Sequence, residues 1–450
     1  MVRAVPDIRL PVGIKSVRIV DYNAAIAYIT EFIDYERSPD FSRQARLYNL
    51  NRITRLLELL GHPQERLRIV HIAGSKGKGS TAALIASILS CAGYKTGLFT
   101  SPHLITPRER CRIDGELISE ADVARCIARM KAAIDEVSRL EFGRVSFFEI
   151  YTALAFCYFA DKATDFAVVE VGLGGRLDAT NVVNPVATVI TPIGLEHTAI
   201  LGETHAAIAA EKAEIIKPGC PLALAPQVAE AQAVFEKVAA ERNAPIIAAK
   251  ASSRVCHAPT EPIGQHFDAA DYPGLFMPLL GEHQRVNAAT AIAGIECLEQ
   301  RGYAIPRENV YQGIAQVKWP GRMQVIQKSP IVLLDGAHSP DAMRLLCREI
   351  RRNFRYNRLI FVVSLMRDKA VKQVGEIVCQ DADAVLVTEV SDNPRVMPAH
   401  DIQRAWQTVT VCPTPKEALE TALALASSTD LICVTGSLYL VGEVLHVTCN

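Results

Sequence analysis

The sequence predicts an α/β protein built around a mostly parallel β-sheet. Short apolar runs alternate with stretches of helical periodicity through most of the 450 residues. A glycine-rich segment follows the first apolar run, where a parallel sheet commonly carries a phosphate-binding loop. A Trp-Pro-Gly break at 319–321 then divides the series of strands and helices into a longer and a shorter part.

The longer part begins with helical periodicity up to about residue 61 and continues with buried strands that alternate with helices. Residues 251–278 are rich in Pro, Gly, His and Asp, and they predict an irregular excursion from this rhythm. The predicted strands span 67–73, 167–171, 187–193, 221–225 and 245–248, and the predicted helices span 80–91, 147–159, 205–216, 228–242 and 284–299.

The shorter part repeats the alternation and predicts a smaller, Rossmann-like α/β domain. We therefore predict a P-loop-type domain with a mostly parallel sheet over residues 1–317 and a C-terminal α/β domain over residues 318–450. The predicted strands of the second domain span 331–334, 359–363, 384–388 and 431–434.

Composition excludes several classes of protein. The chain is 49% hydrophobic and 22% charged, and its formal net charge of −1 gives no basic excess for binding nucleic acid. Twelve scattered cysteines without a CxxC pair indicate reduced thiols rather than a zinc site or a disulfide framework. Charges interrupt the N-terminus and no long uncharged apolar run follows, so we predict a cytoplasmic protein without a signal peptide or membrane contact. We expect a monomer.

The glycine-rich segment HIAGSKGKGST at 71–81 is the strongest local signal. Glycines such as Gly77 and Gly79 let backbone N–H groups turn toward an anion, and the start of the following helix adds partial positive charge. Lys78 can neutralise phosphate charge, and the hydroxyl of Ser80 or of Thr81 can reach a phosphate or Mg²⁺. The spacing departs from the general P-loop, so a flexible Gly-Lys turn is the alternative.

The departure from the general P-loop is itself informative, because GSKGKGST resembles the GTNGKGST or GTKGKGST loop of the folylpolyglutamate synthase/dihydrofolate synthase family, which belongs with the Mur-type amino-acid ligases. Further similar motifs follow in the family's order and extend the resemblance from about residue 45 to 445. They are SPHL at 101–104, EVGLGGRLDATN at 170–181, the segments around His197 and Lys212, GEHQ at 281–284 with Asn287, WPGR at 319–322, DGAH at 335–338, DK at 368–369 and GSLY at 436–439.

Three residues are expected at a metal site. Ser101, Glu170 and His197 all lie at the ends of predicted strands or in the loops that follow, where parallel sheets bind ligands. Oxygen ligands suit Mg²⁺, whereas histidine is less usual for it, so an ordinary loop histidine is the alternative for His197. The resemblance implies that all three are magnesium ligands and gives His197 a catalytic role.

Lys212 lies in a predicted helix beside Glu211 and Glu214. Such a pattern is typical of a solvated charged face. The resemblance implies instead a catalytic lysine that CO₂ can carboxylate, which gives an anionic ligand near a second metal. That chemistry requires a neutral amine and therefore a lowered lysine pKa.

The resemblance also implies a pocket for a pteroate or folate substrate. Aromatic side chains stack well on a flat pterin ring, although two phenylalanines at the start of an apolar helix could equally belong to the core. The expected substrate residues are Ser146, Phe147, Phe148, Glu149, Leu177, Asp178 and Ala179.

Nucleotide contacts are expected from both domains. Lys78 and Arg322 could reach the phosphates, and Asp335 could hold the ribose hydroxyls. The resemblance assigns nucleotide contacts to Asn287, Arg322 and Asp335, and His338 lies just beyond them. The full expected ATP set is Gly77, Lys78, Gly79, Ser80, Asn287, Arg322, Asp335 and His338.

The chain departs from the family's usual residues at several positions. Ser75 and Lys76 stand where Thr and Asn are commoner, Glu196 where Asp is usual, and Ser339 where Asn is usual. Glu214 replaces a usual Gly and could alter the proposed site of lysine carboxylation. None of these changes removes an expected metal or phosphate ligand.

The resemblance implies an ATP- and Mg²⁺-dependent ligase that joins L-glutamate to dihydropteroate, to folate polyglutamates or to both, through an acyl phosphate. One alternative is a ligase of the same architecture that acts on another carboxylate. A second is a P-loop ATPase switch, which would need no second α/β domain. A third is an inactive binding relative, which the intact set of expected ligands disfavours.

Overall fold

The computed structural model describes residues 19–34, 49–256, 264–391 and 393–449. These residues form one large sheet, a small antiparallel sheet and a second large sheet. In the described ranges no helix is both long and apolar enough to cross a lipid bilayer. The parts of the predicted N-terminal helical segment at 1–18 and 35–48 lie outside the described residues.

The strands of the first large sheet run in the order β4-β3-β2-β5-β1-β6-β7-β8. From β2 to β8 all neighbouring strands are parallel, and β3 and β4 add an antiparallel edge. The expected mostly parallel sheet is therefore present. The strands are β1 (Ile69–Ala73), β2 (Thr96–Phe99), β3 (Cys111–Ile113), β4 (Glu116–Leu117), β5 (Phe166–Glu170), β6 (Ala187–Ile190), β7 (Leu222–Leu224) and β8 (Ile246–Ala248).

Helices cover both faces of this sheet, so β1 and its parallel neighbours are buried and expose no face to water. One core forms around α2, α4 and α5, and another around α3 and α9. The helices are α1 (Tyr22–Thr30), α2 (Asn51–Leu59), α3 (Lys78–Cys91), α4 (Glu120–Val137), α5 (Phe147–Asp161), α6 (Thr198–Leu201), α7 (His205–Ala213), α8 (Ala229–Glu241), α9 (Glu282–Gln300) and α10 (Arg307–Gln316).

The expectation of an irregular excursion at 251–278 is wrong for the described residues. Strands β9 (Ala251–Cys256), β10 (Gln265–Ala269) and β11 (Tyr272–Met277) form an antiparallel sheet in the order β11-β10-β9. Buried and half-buried residues alternate along β10, and the Asp268 carboxylate accepts a hydrogen bond from Gly274 N at 2.7 Å in the turn region. His266 and Asp268 occupy the half-buried face, whereas Gln265 is buried, so composition concealed the strand alternation.

The second large sheet has the order β12-β13-β17-β14-β15-β16, and only β12 is antiparallel to its neighbour. Its helices are α11 (Pro340–Asn353), α12 (Val371–Asp381), α13 (Ala399–Trp406), α14 (Pro415–Leu425) and α15 (Leu438–Cys449). Its strands are β12 (Gln324–Lys328), β13 (Ile331–Leu334), β14 (Leu359–Val363), β15 (Ala384–Val387), β16 (Thr410–Val411) and β17 (Leu431–Thr435).

The connection between α10 and β12 contains the Trp-Pro-Gly break. The predicted division into residues 1–317 and 318–450 falls in this connection and stays a prediction. Each large sheet has its own hydrophobic core on both faces, which is the usual construction of an α/β layer.

Candidate active site

The carboxyl ends of both large sheets open into one cavity of about 620 Å³. The neighbouring strands β2, β5, β1 and β6 supply the loops of one wall, and β13, β17 and β14 supply those of the other. Ligands bind at this edge of parallel sheets because the connecting loops, rather than the strands, carry the variable side chains. The cavity therefore has the position that a two-domain nucleotide enzyme requires.

The phosphate loop joins β1 to α3 and forms part of the cavity lining at 75–80. Gly77 precedes the helix with a φ of +83°, a conformation that disfavours a side chain, and an added Cβ would lie 2.1 Å from Asn287 Oδ1. A Cβ on Gly79 would lie 2.8 Å from the ring of Trp319. Both glycines thus allow close approach of the α9 and linker residues to the loop.

Lys78 is the first residue of α3, and its ammonium group lies 3.9 Å from the Glu170 carboxylate at the end of β5. Glu170 is buried and also accepts a hydrogen bond from Ser101 N at 3.1 Å, in the loop after β2. The structure therefore brings together a cation from the phosphate loop, a buried carboxylate and the expected metal residue Ser101.

Lys76 and Glu196, two of the departures from the family pattern, form an ion pair across the phosphate loop and the loop after β6. The Glu196 carboxylate also lies 4.0 Å from His338 Nε2, which belongs to the second wall. His338 Nδ1 lies 2.8 Å from Gly336 O and donates a proton to it, so Nε2 is the free acceptor of a neutral ring. Burial and the nearby Lys76 lower the pKa of His338 to about 4.

His197 lines the cavity at the start of α6, with a left-handed φ of 52°. Burial lowers its pKa to about 4, against the opposing effect of Glu196. The imidazole is therefore neutral near pH 7, which is the form that a metal ligand needs.

Lys212 is 4% exposed in α7 and does not line the cavity. Its Cα lies 2.9 Å from the position that a Cβ on Gly175 would occupy, so it lies beneath the GRLDATN loop. Burial, and then repulsion by Lys78, lower its pKa to about 7. The interpretation of Lys212 as part of a solvated charged face is thus wrong, and a substantial fraction of its amine is neutral near pH 7.

A further departure, Glu214, follows Lys212 as the C-cap of α7. Its carboxylate pairs with Arg242 at 2.9 Å and is partly exposed. The charged groups with the largest effects on the pKa of Lys212 are Lys78, Glu196, Asp178 and Glu211.

Polar side chains at the opposite end of the cavity are held by internal bonds. Ser146 and Glu149 cap the start of α5 reciprocally, with Ser146 N donating to Glu149 Oε2 at 2.7 Å. Arg52 Nε donates to both Glu149 oxygens, at 2.9 and 3.2 Å, and both side chains are buried. This ion pair fixes the first turn of α5 against α2.

The loop at 172–181 contributes Leu177, Asp178 and Ala179 to the same end. Both oxygens of Asp178 accept hydrogen bonds within the loop, from Leu173 N at 2.8 Å and from Thr180 N at 3.0 Å. Burial raises the pKa of Asp178.

The two phenylalanines at the start of α5 point to different places. Phe148 lines the cavity, and its ring would contact a Cβ on Gly172 at 2.5 Å. Phe147 does not line the cavity; its ring packs on Tyr151 and beneath the Arg110 guanidinium. The expectation that Phe147 contacts substrate is therefore not supported by its position, because successive residues of a helix point in different directions.

The second wall contributes Arg322, Asp335 and His338. Asp335 follows β13, and its carboxylate accepts Met323 N at 3.0 Å and Ala337 N at 2.8 Å. Burial lowers the pKa of Arg322, and Asp335 and Glu170 oppose this shift. Arg322 is thus positioned between carboxylates from both walls.

Sequence reasoning missed several cavity residues. Arg52, Asn49 and Asp34 come from the N-terminal helical part, and Lys369 and Arg395 come from loops of the second sheet. Lys369 and Arg395 both pair with Asp368, at 3.0 and 2.7 Å. The DK motif was a signal for Lys369, but no local pattern distinguished Arg395 or Arg52 from surface arginines.

The donors near the phosphate loop fit a magnesium ion. Among the residues that the structure describes, no cluster of three or more His, Cys, Asp and Glu side chains forms a complete metal site. The Glu170 carboxylate instead offers oxygen donors beside Lys78, and Ser101, whose backbone N–H is bonded to Glu170, lines the same cavity. Such a partial set suits Mg²⁺, which takes its remaining ligands from phosphate oxygens and water.

Comparisons with known proteins agree with this architecture. Residues 72–295 match the family model described as Mur ligase middle domain, and residues 321–438 match the one described as Mur ligase, glutamate ligase domain. The chain is 36% identical over 408 residues to the dihydrofolate synthase/folylpolyglutamate synthase of Bacillus subtilis, covering 88% of this chain and 94% of the relative. It is 33% identical to the folylpolyglutamate synthase of Lacticaseibacillus casei, covering 94% and 98%.

Solved structures show the same likeness in three dimensions. The Mycobacterium tuberculosis folylpolyglutamate synthase complexed with ADP matches with a TM-score of 0.85 and 30% identity, over 96% of this chain and 99% of that chain. Escherichia coli FolC in complex with DHPP and ADP matches with a TM-score of 0.81 and 27% identity, over 96% and 98%.

Proposed function

Because the chain belongs to the folylpolyglutamate synthase/dihydrofolate synthase family, we propose that it ligates L-glutamate to dihydropteroate and to folate polyglutamates with ATP as co-substrate. The observation that carries the proposal is the single cavity in which the phosphate loop, the GRLDATN loop and the second sheet meet. An isolated nucleotide switch has no need of the second wall.

The reaction requires activation of an inert carboxylate. The γ-phosphoryl group of ATP is transferred to a carboxylate oxygen of the pteroate or folate, which gives an acyl phosphate and ADP. The neutral α-amine of glutamate then attacks the acyl carbon, an amide bond forms as the nitrogen loses one proton, and inorganic phosphate leaves with that proton and with the carboxylate oxygen. The protein contributes positioning and neutralisation of charge.

Lys78 and Arg322 are the cations that we assign to the transferring phosphoryl group, one from each wall of the cavity. Ser101, Glu170 and His197 would hold Mg²⁺, which supplies further neutralisation of phosphate charge when bound. Asn287, Asp335 and His338 would contact the nucleotide beside the glycines and Ser80 of the loop. His338 offers Nε2 as an acceptor, because its Nδ1 proton is donated to Gly336 O.

For Lys212 we propose carboxylation by CO₂. The reaction needs the neutral amine, and burial with the nearby Lys78 lowers the lysine pKa to about 7. Carboxylation would also replace a buried cation by an anion close to Lys78, which relieves the repulsion between Lys212 and Lys78.

At the opposite end, Phe148 would stack on the pterin ring, between Ser146 and the Leu177-Asp178-Ala179 segment. Glu149 supports this pocket through its ion pair with Arg52 and its cap on α5. Phe147, which packs in the core, stabilises the helix that presents Phe148.

We assign the carboxylates of the incoming glutamate to Lys369 and Arg395. Both cations line the cavity on the second wall and already share one carboxylate, that of Asp368.

Replacing Lys369 or Arg395 by Met should raise the KM for glutamate about tenfold, because one charge-assisted hydrogen bond is lost. The KM for ATP should not change, and Lys372→Met on the exposed face of α12 is the matched control. Equal KM values for glutamate in all three variants would contradict the assignment.

The cellular compartment that we propose is the cytoplasm, where the free thiols of the described cysteines are stable. We propose a monomer, since one chain supplies both walls of the cavity.

The decisive experiment is phosphate release from MgATP in the presence of glutamate, with dihydropteroate or tetrahydrofolate as acceptor. Release with both acceptors supports both ligation activities, and release with one restricts the enzyme to that activity. Release with neither acceptor, from a protein that binds ATP, would favour a Mur-type ligase for another carboxylate. Release without glutamate would favour an ATPase switch.

A further inference from the structure

A chain of buried hydrogen bonds leads from the central strand β1 to the cavity. His71 Nε2 lies 2.8 Å from Thr180 Oγ1, and the Thr180 hydroxyl lies 2.5 Å from Asp178 Oδ1. His71 and Thr180 are both fully buried, whereas Asp178 lines the cavity beside Leu177 and Ala179. The chain therefore ends at the wall where the proposed pterin pocket lies.

The direction of the protons in this chain follows from the bonds that Asp178 makes. Its carboxylate accepts from Leu173 N, from Thr180 N and from the Thr180 hydroxyl. Thr180 has one hydroxyl proton and gives it to Asp178, so it accepts toward His71. Nε2 of His71 must then carry the ring proton, and Nδ1 is a bare acceptor.

A buried nitrogen acceptor without a hydrogen-bond partner lowers the stability of the folded protein. Among the described residues, Nδ1 of His71 has no hydrogen-bond partner although it is buried. An apolar side chain of similar size would fill the position without an unpaired polar atom. Burial also lowers the pKa of His71 to about 3, so the ring is neutral and offers no salt bridge in compensation. The useful property of this histidine is the proton on Nε2.

We propose that His71 is a positioning residue for the pterin end of the substrate, because it orients the Thr180 hydroxyl that fixes the Asp178 carboxylate at the cavity wall. This inference rests on the proposed function, since it assigns a purpose to the Asp178 contact. The same strand carries the phosphate loop three residues later, but among the described residues the hydrogen bonds from His71 lead through Thr180 to Asp178 and not to that loop. Its loss should therefore affect one substrate and not the other.

The test uses the full-length protein with Mg²⁺ and ADP present, and measures dihydropteroate affinity by calorimetric titration. His71→Leu and Thr180→Val should each weaken dihydropteroate binding about tenfold, the loss of a positioned hydrogen bond to a charged group. His71→Gln, whose amide nitrogen reaches the Nε2 position, and Thr180→Ser should restore affinity. The KM for ATP should stay unchanged in all four variants.

Thr188→Val is the matched control. Thr188 is also fully buried, pairs with His71 in the register of β1 and β6, and contacts Cys220 rather than the cavity. We expect Thr188→Val and Thr180→Val to lower the melting temperature by similar amounts, because each removes a buried hydroxyl. Thr188→Val should not weaken dihydropteroate binding.

Two results would overturn the inference. One is unchanged dihydropteroate affinity in both His71→Leu and Thr180→Val, and the other is an equal loss of affinity for ATP. If Thr180→Val does not fold, the comparison of His71→Gln with His71→Asn tests the inference instead, because only the longer Gln amide reaches Thr180. Equal dihydropteroate affinities of these two variants would exclude the chain of hydrogen bonds. Wild-type protein that does not bind dihydropteroate would instead overturn the proposed function, and the inference with it.

Discussion

The pterin end and the phosphate end of the cavity differ in how their charged groups are satisfied. Glu149 is held by Arg52 and by the backbone of Ser146, and Asp178 accepts three hydrogen bonds from its own loop. Lys78, at the other end, has a carboxylate only at 3.9 Å. In the described part of the chain, no carboxylate forms an ion pair with the buried Lys212.

This difference indicates which end is completed by ligands. A saturated network fixes the shape of a pocket before its substrate arrives. A buried cation without a close partner, such as protonated Lys212, raises the free energy of the folded protein. Lys78 is only partly buried, and its charge is available to a bound phosphate. We therefore expect changes at the phosphate end to affect catalysis and changes at the pterin end to affect stability as well.

The largest effect is expected for Lys78→Ala. Removal of a cation from the transferring phosphoryl group should lower kcat by about 100- to 1000-fold. The melting temperature should hardly change, because Lys78 makes no close ion pair. Lys237→Ala, on the exposed face of α8, is the control. Wild-type kcat in the Lys78 variant would remove this lysine from the reaction.

Lys212→Met should separate activity from stability. The lysine pKa is about 7 in the folded protein and 10.5 as the ordinary value, so the unfolded chain binds the extra proton between these pH values. The free energy of unfolding should thus rise with pH in this window, by about 1.4 kcal/mol per pH unit from this group. The Lys212→Met variant should lose turnover and should be more stable than the wild-type protein near pH 7. Its free energy of unfolding should lack the rise with pH that Lys212 produces.

Urea titrations of CO₂-free protein near pH 7 and near pH 10 measure the effect. A variant with the same pH dependence as the wild-type protein would show that Lys212 has an ordinary pKa, and carboxylation would then lack its chemical basis.

Arg52→Met tests the pterin end. The change leaves the Glu149 carboxylate buried without its cation, and this should cost about 3–5 kcal/mol of stability. The double variant Arg52→Met/Glu149→Gln should recover most of the loss, because no unpaired buried charge remains. Denaturant unfolding measures both. A single variant as stable as the wild-type protein would break the contrast between the two ends.

The smallest effect is expected for Glu214→Gly, which restores the residue that the family usually has. Glu214 pairs with Arg242 at the surface, and such partly exposed pairs contribute about 1 kcal/mol or less. Its carboxylate is not among the groups with the largest effects on the pKa of Lys212, so kcat should stay unchanged. A change in kcat would show that this departure does reach the lysine.

The sequence predicted the parallel strands well, because strands such as β1, β5 and β14 are buried on both faces and read as continuous apolar runs. The antiparallel strands β10 and β11 were missed for the opposite reason. Their Pro, Gly, His and Asp residues have the composition of a loop. Burial alternates along β10 but not along β11, where Pro273 and Gly274 are both exposed.

For the site, motifs predicted cavity residues at the end of a strand or directly after it, such as Glu170 and Asp335. Arg52 and Arg395 could not be predicted, because their importance depends on contacts with residues distant in sequence. The burial of Lys212 could not be predicted from the sequence either. Helix α7 is only weakly amphipathic, and Gly175, which packs against Lys212, belongs to a loop that is distant in sequence.

The contact between Gly79 and Trp319 provides an optical signal. The chain has two tryptophans, and the other one, Trp406, is buried against Gly375 with its indole N–H bonded to Val371 O at 2.9 Å. Trp319 alone touches the phosphate loop, so intrinsic fluorescence at equilibrium can follow nucleotide occupancy without any label.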